Sequence, residues 1–513
     1  MPKAYTTKRG RRISAAIAIL LALLTWSVRD RITWLPEGVE PSGDGQVIEA
    51  RHQVQFGPVN SIAVLPFRCT ASELPDGAGN DPVLAQGFAQ SLIELLIGNP
   101  GLQVTAANSS FFFQDEKLNL ALVGERLKAM HILHGCAVRT PQGIAVNARL
   151  INLRSNKQKW SGNYSGAVAD IFSFQDQVAA GAANAVRAGL GAGVRGAPVI
   201  DSQAWLSFIE GQHLQRLGGP DNIHQAEAAF KAVLDTEPEY APAMLGLTRV
   251  YLAPSMMAAL GPDAIGQARS SANRALQYDP ELAGAYLELS RISKAIDWNW
   301  RAALETARQA LKFEPGSAEV LSNASSALST FGQFEQAISL LNEAVKRNPL
   351  VLQNQQRLGL LFEYAGNYKD ALLAYRVLLG LNPDYPGLHA YRARAMLAMS
   401  LPEQALEEAS QEKIPFWRDY ARILSLSALE RTGEAEDLLQ KMITSHGHDA
   451  AFQIAEIYAF SGDADQAFAW LDRAYQQRDG GMSELIGNYF LSRLHQDKRW
   501  QGLLLRMKLL PDS

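Results

Sequence analysis

Three prolines, Pro315, Pro349 and Pro383, stand 34 residues apart in the second half of this chain. Each follows a helical pattern built on small residues. Ala337-x3-Leu341-x2-Ala344 runs up to Pro349. Leu358-Gly359-x2-Phe362 and then Ala371-x3-Tyr375-x2-Leu378 run up to Pro383. A unit of this length holds two helices and cannot bury its apolar faces alone. Copies must therefore stack, so the period dictates an elongated array of helix pairs. Ala268, Ala272, Ala303, Ala307, Ala337 and Ala371 are the small side chains that let paired helices approach closely. The proline markers continue back to Pro280 and Pro238, and their interval of 42 implies an insertion around 253–262. Beyond Pro383 the spacing decays until Tyr458, Gly462 and Ala467-x3-Leu471-x2-Ala474 restore it. The last helices, ending at Trp500 to Leu510, are expected to cap the stack.

The first half follows another rule. Ile62-Ala63-Val64-Leu65-Pro66-Phe67 is a short apolar run, the pattern of a buried strand. Val83 to Ile97 carries apolar residues at helical spacing, and Leu102-Gln103-Val104 is a second strand candidate. Leu118 to Met130 reads as helix. His131 to Val138 and Ile144 to Ile151 flank Thr140-Pro141-Gln142-Gly143, a hairpin with a short loop. Trp160 to Tyr164 is a last strand and Ile171 to Leu190 an amphipathic helix. The order β-α-β-α-β-β-β-α predicts a compact α/β domain.

Ahead of it, Lys3, Lys8, Arg9, Arg11 and Arg12 precede an uncharged run from Ile13 to Val28, closed by Arg29, Asp30 and Arg31. At about 1.5 Å per residue the run is short for a bilayer, but flanking arginines can snorkel. The basic excess before the run puts the N-terminus on the cytoplasmic side. No A-x-A cleavage pattern follows the run, so an uncleaved anchor is preferred over a signal peptide. The expected organisation is multidomain. A cytoplasmic tail (1–12) leads into one transmembrane helix (13–28) and a linker (29–58). A small α/β domain (59–190), a second linker (191–203) and an all-α helical-repeat domain (204–513) follow.

The 34-residue pattern resembles the tetratricopeptide repeat. Residues 59–190 resemble the TolB-like amino-terminal domain that precedes such arrays in bacterial inner-membrane signalling proteins. The matching stretches are Ile62 to Phe67, Leu133-x-Gly135-x-x-Arg139, Ala148-x-Leu150-Ile151, Trp160-x3-Tyr164 and Asp170-Ile171-Phe172 with Gln175. Asp297-Trp298-Asn299-Trp300 and Tyr475-x-x-Arg478-Asp479-Gly480-Gly481 extend the likeness into the repeats. Two positions depart from it: Gly135-Cys136 stands where relatives carry Gly-Ser, and Ala85-Gln86-Gly87 where they carry Ala-Asp-Gly. Relatives labelled transcriptional regulator or adenylate cyclase place an output domain before the anchor. Only Met1 to Arg12 stand there in this sequence, so neither activity is carried over. The resemblance implies a periplasmic location for the bulk of the chain.

The sequence offers little chemistry. Net charge is −4, with no global case for nucleic-acid binding. No phosphate-binding, dinucleotide-binding or nucleophile-elbow motif is present. His446-Gly447-His448-Asp449 reads as an inter-helix loop, His131 and His134 point to opposite faces of a strand, and Asp76 to Asp81 reads as a solvated turn. No metal, cofactor or catalytic group is expected. The two cysteines, Cys69 and Cys136, lie at or beside strands of one small domain. They form a disulfide in an oxidising compartment if their Cα atoms come within about 7 Å, and stay buried thiols otherwise.

A binding surface is the better target. In tetratricopeptide arrays the first helix of each pair lines the concave groove. Counting from the proline markers places Arg249, Arg291, Lys294, Gln353, Gln356, Glu363 and Arg394 there. Four cations against one carboxylate suit an acidic segment or a C-terminal carboxylate of a protein or peptide partner. A solvated face with unrelated charges is the alternative. Trp298 and Trp300 either face a partner or pack between helices. The expected function is a non-catalytic, membrane-tethered interaction scaffold or adaptor. A sensory component of a transmembrane system is the alternative.

Overall fold

The computed structural model describes residues 56–70, 73–74, 79–99, 101–113, 119–187 and 200–510. The expected tail (1–12) and anchor (13–28) lie outside them, as do the first linker up to 55 and most of the second. Among the described residues no single helix is long and apolar enough to cross a membrane.

The α/β unit is a five-stranded sheet in the order β2-β1-β3-β4-β5. Strands β1 (Ser61–Val64), β2 (Gln103–Val104), β3 (His131–Thr140), β4 (Gly143–Asn152) and β5 (Lys157–Gly166) appear where the apolar runs put them. β1 pairs parallel with both β2 and β3, while β3, β4 and β5 form an antiparallel meander. Every residue of the central β1 is buried, as a continuous apolar run requires. β4, in contrast, alternates buried and half-buried residues. The helix α1 (Pro82–Ile97) starts with Pro82 in its first turn, and the Asp81 carboxylate accepts the Leu84 N–H at 2.9 Å. A short helix α2 (Ala107–Ser110) follows β2. The helix expected over 118–130 is only α3 (Leu120–Arg126). Lys128, at φ 51°, turns the chain into β3 instead. The last helix of the unit, α4, spans Ile171–Arg187.

From Ser202 the chain is a run of antiparallel helix pairs. They are α5 (Ser202–Leu217) with α6 (Pro220–Thr236), and α7 (Ala241–Tyr251) with α9 (Pro262–Tyr278). Next come α10 (Ala283–Ile292) with α11 (Trp300–Phe313), and α12 (Ala318–Ser329) with α13 (Phe334–Arg347). Then α14 (Leu352–Tyr364) pairs with α15 (Tyr368–Leu381), and α16 (Leu388–Ala398) with α17 (Pro402–Ser410). Last are α18 (Pro415–Ala428) with α19 (Thr432–His446), and α20 (Ala451–Ser461) with α21 (Ala464–Gln477). The marker prolines sit in the loops between pairs, where the preceding residue cannot continue a helix. The insertion implied between Pro238 and Pro280 is the extra helix α8 (Pro254–Leu260).

The repeat residues do the packing their size suggests. Ala268, Ala272, Ala307, Ala337 and Ala371 are fully buried. Gly359 on α14 faces the Tyr375 ring of α15, and a Cβ there would lie 2.2 Å from Cε1. A bare backbone on one helix and a buried aromatic on its partner are thus two halves of one contact.

The two units share a core. One apolar cluster runs from Ile62 and Val64 through Phe88 and Leu92 of α1 to Trp205, Phe208, Phe230 and Val250 of the first helix pairs. Phe172 of α4 meets Trp205 of α5 edge-on at 6.0 Å. Burial of such side chains contributes about 2–3 kcal/mol each, enough to fix the α/β unit against the array. A second seam lies further along. The Ala106 N–H donates to the Arg347 carbonyl at 2.8 Å, and Ser109 Oγ donates to Asn348 Oδ1 at 2.5 Å.

The array also closes on itself. Trp298 packs edge-on against Tyr475 at 5.9 Å, and Trp300 lies 4% exposed in the C-terminal core. Arg301 Nη2 donates to the Leu510 carbonyl at 2.8 Å across a separation of 209 residues, and Arg478 donates to the Ile296 carbonyl. The two tryptophans therefore pack within the chain. The C-terminal helix α22 (Lys498–Arg506) does cap the last pair, through Arg506 on Asp472 at 2.5 Å and Arg499 on Asp465 at 2.8 Å.

Candidate functional site

The expected groove residues fall on the first helices of successive pairs, α7, α10, α14 and α16, or, for Lys294, on the π-helical turn Ser293–Asp297. What they do there departs from the expectation of four free cations. Arg249 Nε lies 3.0 Å from Glu288 Oε1, and Arg291 Nη1 lies 3.1 Å from the same oxygen. Glu288 is 3% exposed. Burial opposes its charge, but Arg291 and Arg249 outweigh burial and hold the carboxyl below its ordinary range. Two of the four cations thus serve one buried carboxylate.

Arg394 is spent in the same way. It is buried, and its guanidinium donates to Glu456 Oε1 at 2.9 Å, to Tyr420 Oη at 2.6 Å and to Glu363 Oε2 at 3.3 Å. Its Cζ also sits 4.8 Å over the Phe490 ring. Tyr375 Oη donates to Glu363 at 2.6 Å, and Asn488 Nδ2 donates to Glu456 at 2.8 Å. Burial works against the Arg394 charge, but Tyr420, Glu456 and Glu363 together hold it well protonated. Glu363 is pushed up by burial, with Arg394 restraining it. Glu363 and Arg394 are thus members of a buried network, not partner-facing groups. The sequence missed this because Glu456 and Tyr420 lie far along the chain and carry no local signal.

Lys294 is half-buried. Its Nζ donates to the Ser326 carbonyl at 2.8 Å and to Ser326 Oγ at 2.6 Å. Burial, aided by nearby Arg357, pushes its pKa down to about 7. Gln353 and Gln356 are half-buried on α14, and neither side chain has a hydrogen-bond partner among the described residues.

The chain's own C-terminal segment lies along the ends of these helices. A 3-10 turn, Gly480–Glu484, presents Glu484 to Tyr364, whose Oη donates to Glu484 Oε2 at 2.7 Å. Gly487, at φ +82°, passes Phe334 so closely that a Cβ would lie 2.5 Å from its ring. Met482, Leu485, Phe490, Leu491 and Leu494 are almost fully buried behind it. At roughly 1.5–3 kcal/mol each, their burial makes this segment a permanent wall of the groove. Between wall and groove is a cavity of ≈ 30 Å³ lined by Lys294, Ser329, Arg357, Tyr364, Ser483 and Glu484.

Elsewhere the loop His446 to Asp449 shows only long ion-pair distances, 3.6 Å from each histidine to Asp449. His131 Nδ1 donates to the Ser61 carbonyl at 3.2 Å, and its Nε2 accepts from Asn152 Nδ2 at 2.8 Å. Among the described residues no three His, Cys, Asp or Glu side chains cluster as metal ligands. Cys69 and Cys136 are joined in a disulfide, with Cα atoms 4.4 Å apart and both residues buried.

Residues 322–386 match the family model described as tetratricopeptide repeat, a span that takes in α13, α14 and α15 with most of α12. Residues 322–386 therefore carry tetratricopeptide repeats. A relative described as putative adenylate cyclase 3, from Rhizobium meliloti (strain 1021), is 31% identical over 172 residues. That stretch is 33% of this chain, which spans only 26% of the relative's length. Among solved structures, a tetratricopeptide repeat protein from Parabacteroides merdae ATCC 43184 overlaps 49% of this chain and 94% of its own, at 15% identity and a TM-score of 0.38. Pseudomonas aeruginosa pilF overlaps 43% and 98%, at 19% identity and 0.34. YrrB, described as a TPR protein with an unusual peptide-binding site, overlaps 41% and 96%, at 15% identity and 0.31. At these scores none bears on what this chain does.

Proposed function

We propose that this chain is a non-catalytic interaction scaffold, tethered to a bacterial inner membrane through residues 13–28 and acting in the periplasm. The observation that carries the scaffold reading is the unbroken run of helix pairs from Ser202 to Gln477, since solenoids of this kind present extended concave surfaces to partner segments. The Cys69–Cys136 disulfide supports an oxidising compartment. An acidic preference in the partner loses the basis it had, because Arg249, Arg291 and Arg394 are already paired within the chain. The polar groove residues left for a partner are Gln353, Gln356 and Arg357 on α14.

A photo-crosslinking amino acid at Gln353 or Gln356, in cells, tests the scaffold reading. Capture of one defined envelope protein from both positions, and not from exposed sites on the outer helices, is the expected result. The reading fails if neither position captures protein beyond background. Alkaline phosphatase fused after residue 513 tests the location independently; an inactive fusion refutes it. A second reading, a sensory component, is favoured by the polar cavity beside Lys294, Arg357 and Glu484. The cyclase label of the partial relative is not adopted. Turnover of ATP to a cyclic nucleotide by the purified chain would reverse that.

A further inference from the structure

We propose that the hollow between Lys294, Arg357 and the Gly480–Glu484 turn is a binding site for a small oxyanion, a phosphate or a carboxylate. The argument begins with charge. Two cations line one cavity, and neither forms an ion pair among the described residues. Among the described residues the Lys294 ammonium is held by Ser326 alone, and the Arg357 side chain has no hydrogen-bond partner. The one carboxylate lining the cavity, Glu484, is engaged by Tyr364. The other three expected groove cations are paired, Arg249 and Arg291 with Glu288 and Arg394 with Glu363 and Glu456. Lys294 is half-buried and Arg357 exposed, so an anion seated between them gains charge-assisted hydrogen bonds without breaking an existing ion pair.

Donor geometry and size point the same way. Arg357 offers a planar fork of N–H groups, is exposed, and lines the hollow. Lys294 and the Ser329 and Ser483 hydroxyls line the same space. A cavity of ≈ 30 Å³ holds about two waters. Two anionic oxygens replace those waters, and the remainder of the ligand sits in the mouth. The walls are fixed before binding, because Met482 and Leu485, at 0% exposure, anchor the turn that carries Glu484.

Titration supports the assignment. Lys294 is depressed by burial and by Arg357, with Glu484 opposing, and Arg357 is itself depressed by burial. The groups facing Lys294 are Arg357 and Tyr364 from α14 and Glu484 from the turn. An anion between the two cations raises the Lys294 pKa, so binding above pH 7 takes up a proton.

The inference is independent of the scaffold reading, because it is tested on the isolated full-length chain in detergent. Isothermal titration is run with inorganic phosphate, methyl phosphate and acetate up to about 10 mM. Saturable binding by at least one is expected, and the tightest of the three identifies phosphate or carboxylate as the source. Arg357→Ala should weaken it about ten- to a hundredfold, the worth of a charge-assisted hydrogen bond, and Arg357→Lys should recover part of that loss. Arg431→Ala, an exposed residue paired with Glu434 and outside the hollow, should leave it unchanged. Proton uptake should appear at pH 8 and vanish in Lys294→Met. The proposal is overturned if no anion binds, or if binding is indifferent to Arg357→Ala in a variant with unchanged circular dichroism. Should that variant not fold, absence of proton uptake by the wild type overturns it.

Discussion

Replacing Arg394 by Met separates a buried structural network from a partner-binding cation. The side chain keeps its length and apolar stem and loses only the guanidinium. Left behind are Glu363 and Glu456, 5% and 1% exposed, and Tyr420 at 0%. Removing one member of a buried ion pair typically costs about 3–5 kcal/mol, because the remaining charge has no partner and no water. Two carboxylates are orphaned here, and Asn488 and Tyr375 compensate one each by a hydrogen bond. A loss of about 4 kcal/mol at pH 7.5 follows. If the C-terminal helices melt as one unit of roughly 150–250 residues, the midpoint falls by about 8–16 °C. The pH dependence is diagnostic. Glu363 already lies above its ordinary value through burial, and loss of Arg394 raises it further. A carboxyl raised in the folded state binds more protons there than in the unfolded chain, so its contribution to stability falls as pH rises through that window. The variant's deficit should therefore shrink on going from pH 7.5 to pH 5. Thermal melts of full-length wild type and Arg394→Met at the two pH values make the comparison. A deficit below about 1 kcal/mol, or one equal at both pH values, refutes the charged network and returns Arg394 to the surface.

Three further outcomes are expected. Cys136→Ser removes a bridge that closes 67 residues and should cost about 4 kcal/mol in non-reducing melts, an effect that excess dithiothreitol reproduces in the wild type after unfolding and refolding. Gly487→Val meets Phe334 and the Tyr364 carbonyl at a positive φ, so hydrogen exchange should accelerate across 480–494 while the β3–β4 hairpin is unchanged. Glu314, raised to about 7 by burial and by Glu94, against Arg249 and with Glu319 and Asp279 adding, loses stability as pH rises from about 4.5 to 7; Glu314→Gln should match the wild type at pH 4 and exceed it at pH 8 in chemical denaturation.

Much of the fold was legible because its rules are local. Helix pairs follow from Pro315, Pro349 and Pro383, from buried alanines at fixed offsets, and from the reciprocity of Gly359 and Tyr375. The strands follow from apolar runs of the right length, and Pro141-Gln142 from the hairpin between them. The helix over 118–130 was overextended because a positive φ at Lys128 gives no signal in a lysine. Counting put the expected groove residues on the first helices of their pairs, but it says nothing of what a side chain meets on the next pair. Arg249 and Glu288 are 39 residues apart, Arg394 and Glu456 are 62 apart. Each pairing depends on how far one hairpin is rotated on the next.

The sequence by itself determined that this chain stacks helix pairs behind a small α/β unit, since propensity, period and turn chemistry act over a few dozen residues. The tertiary structure alone decided that the array closes through Trp298 and Tyr475, that the Gly480–Glu484 turn walls its groove, and that Arg357 keeps an open charge where its neighbours do not. Small rotations between successive hairpins accumulate over many repeats, and no local pattern records their sum.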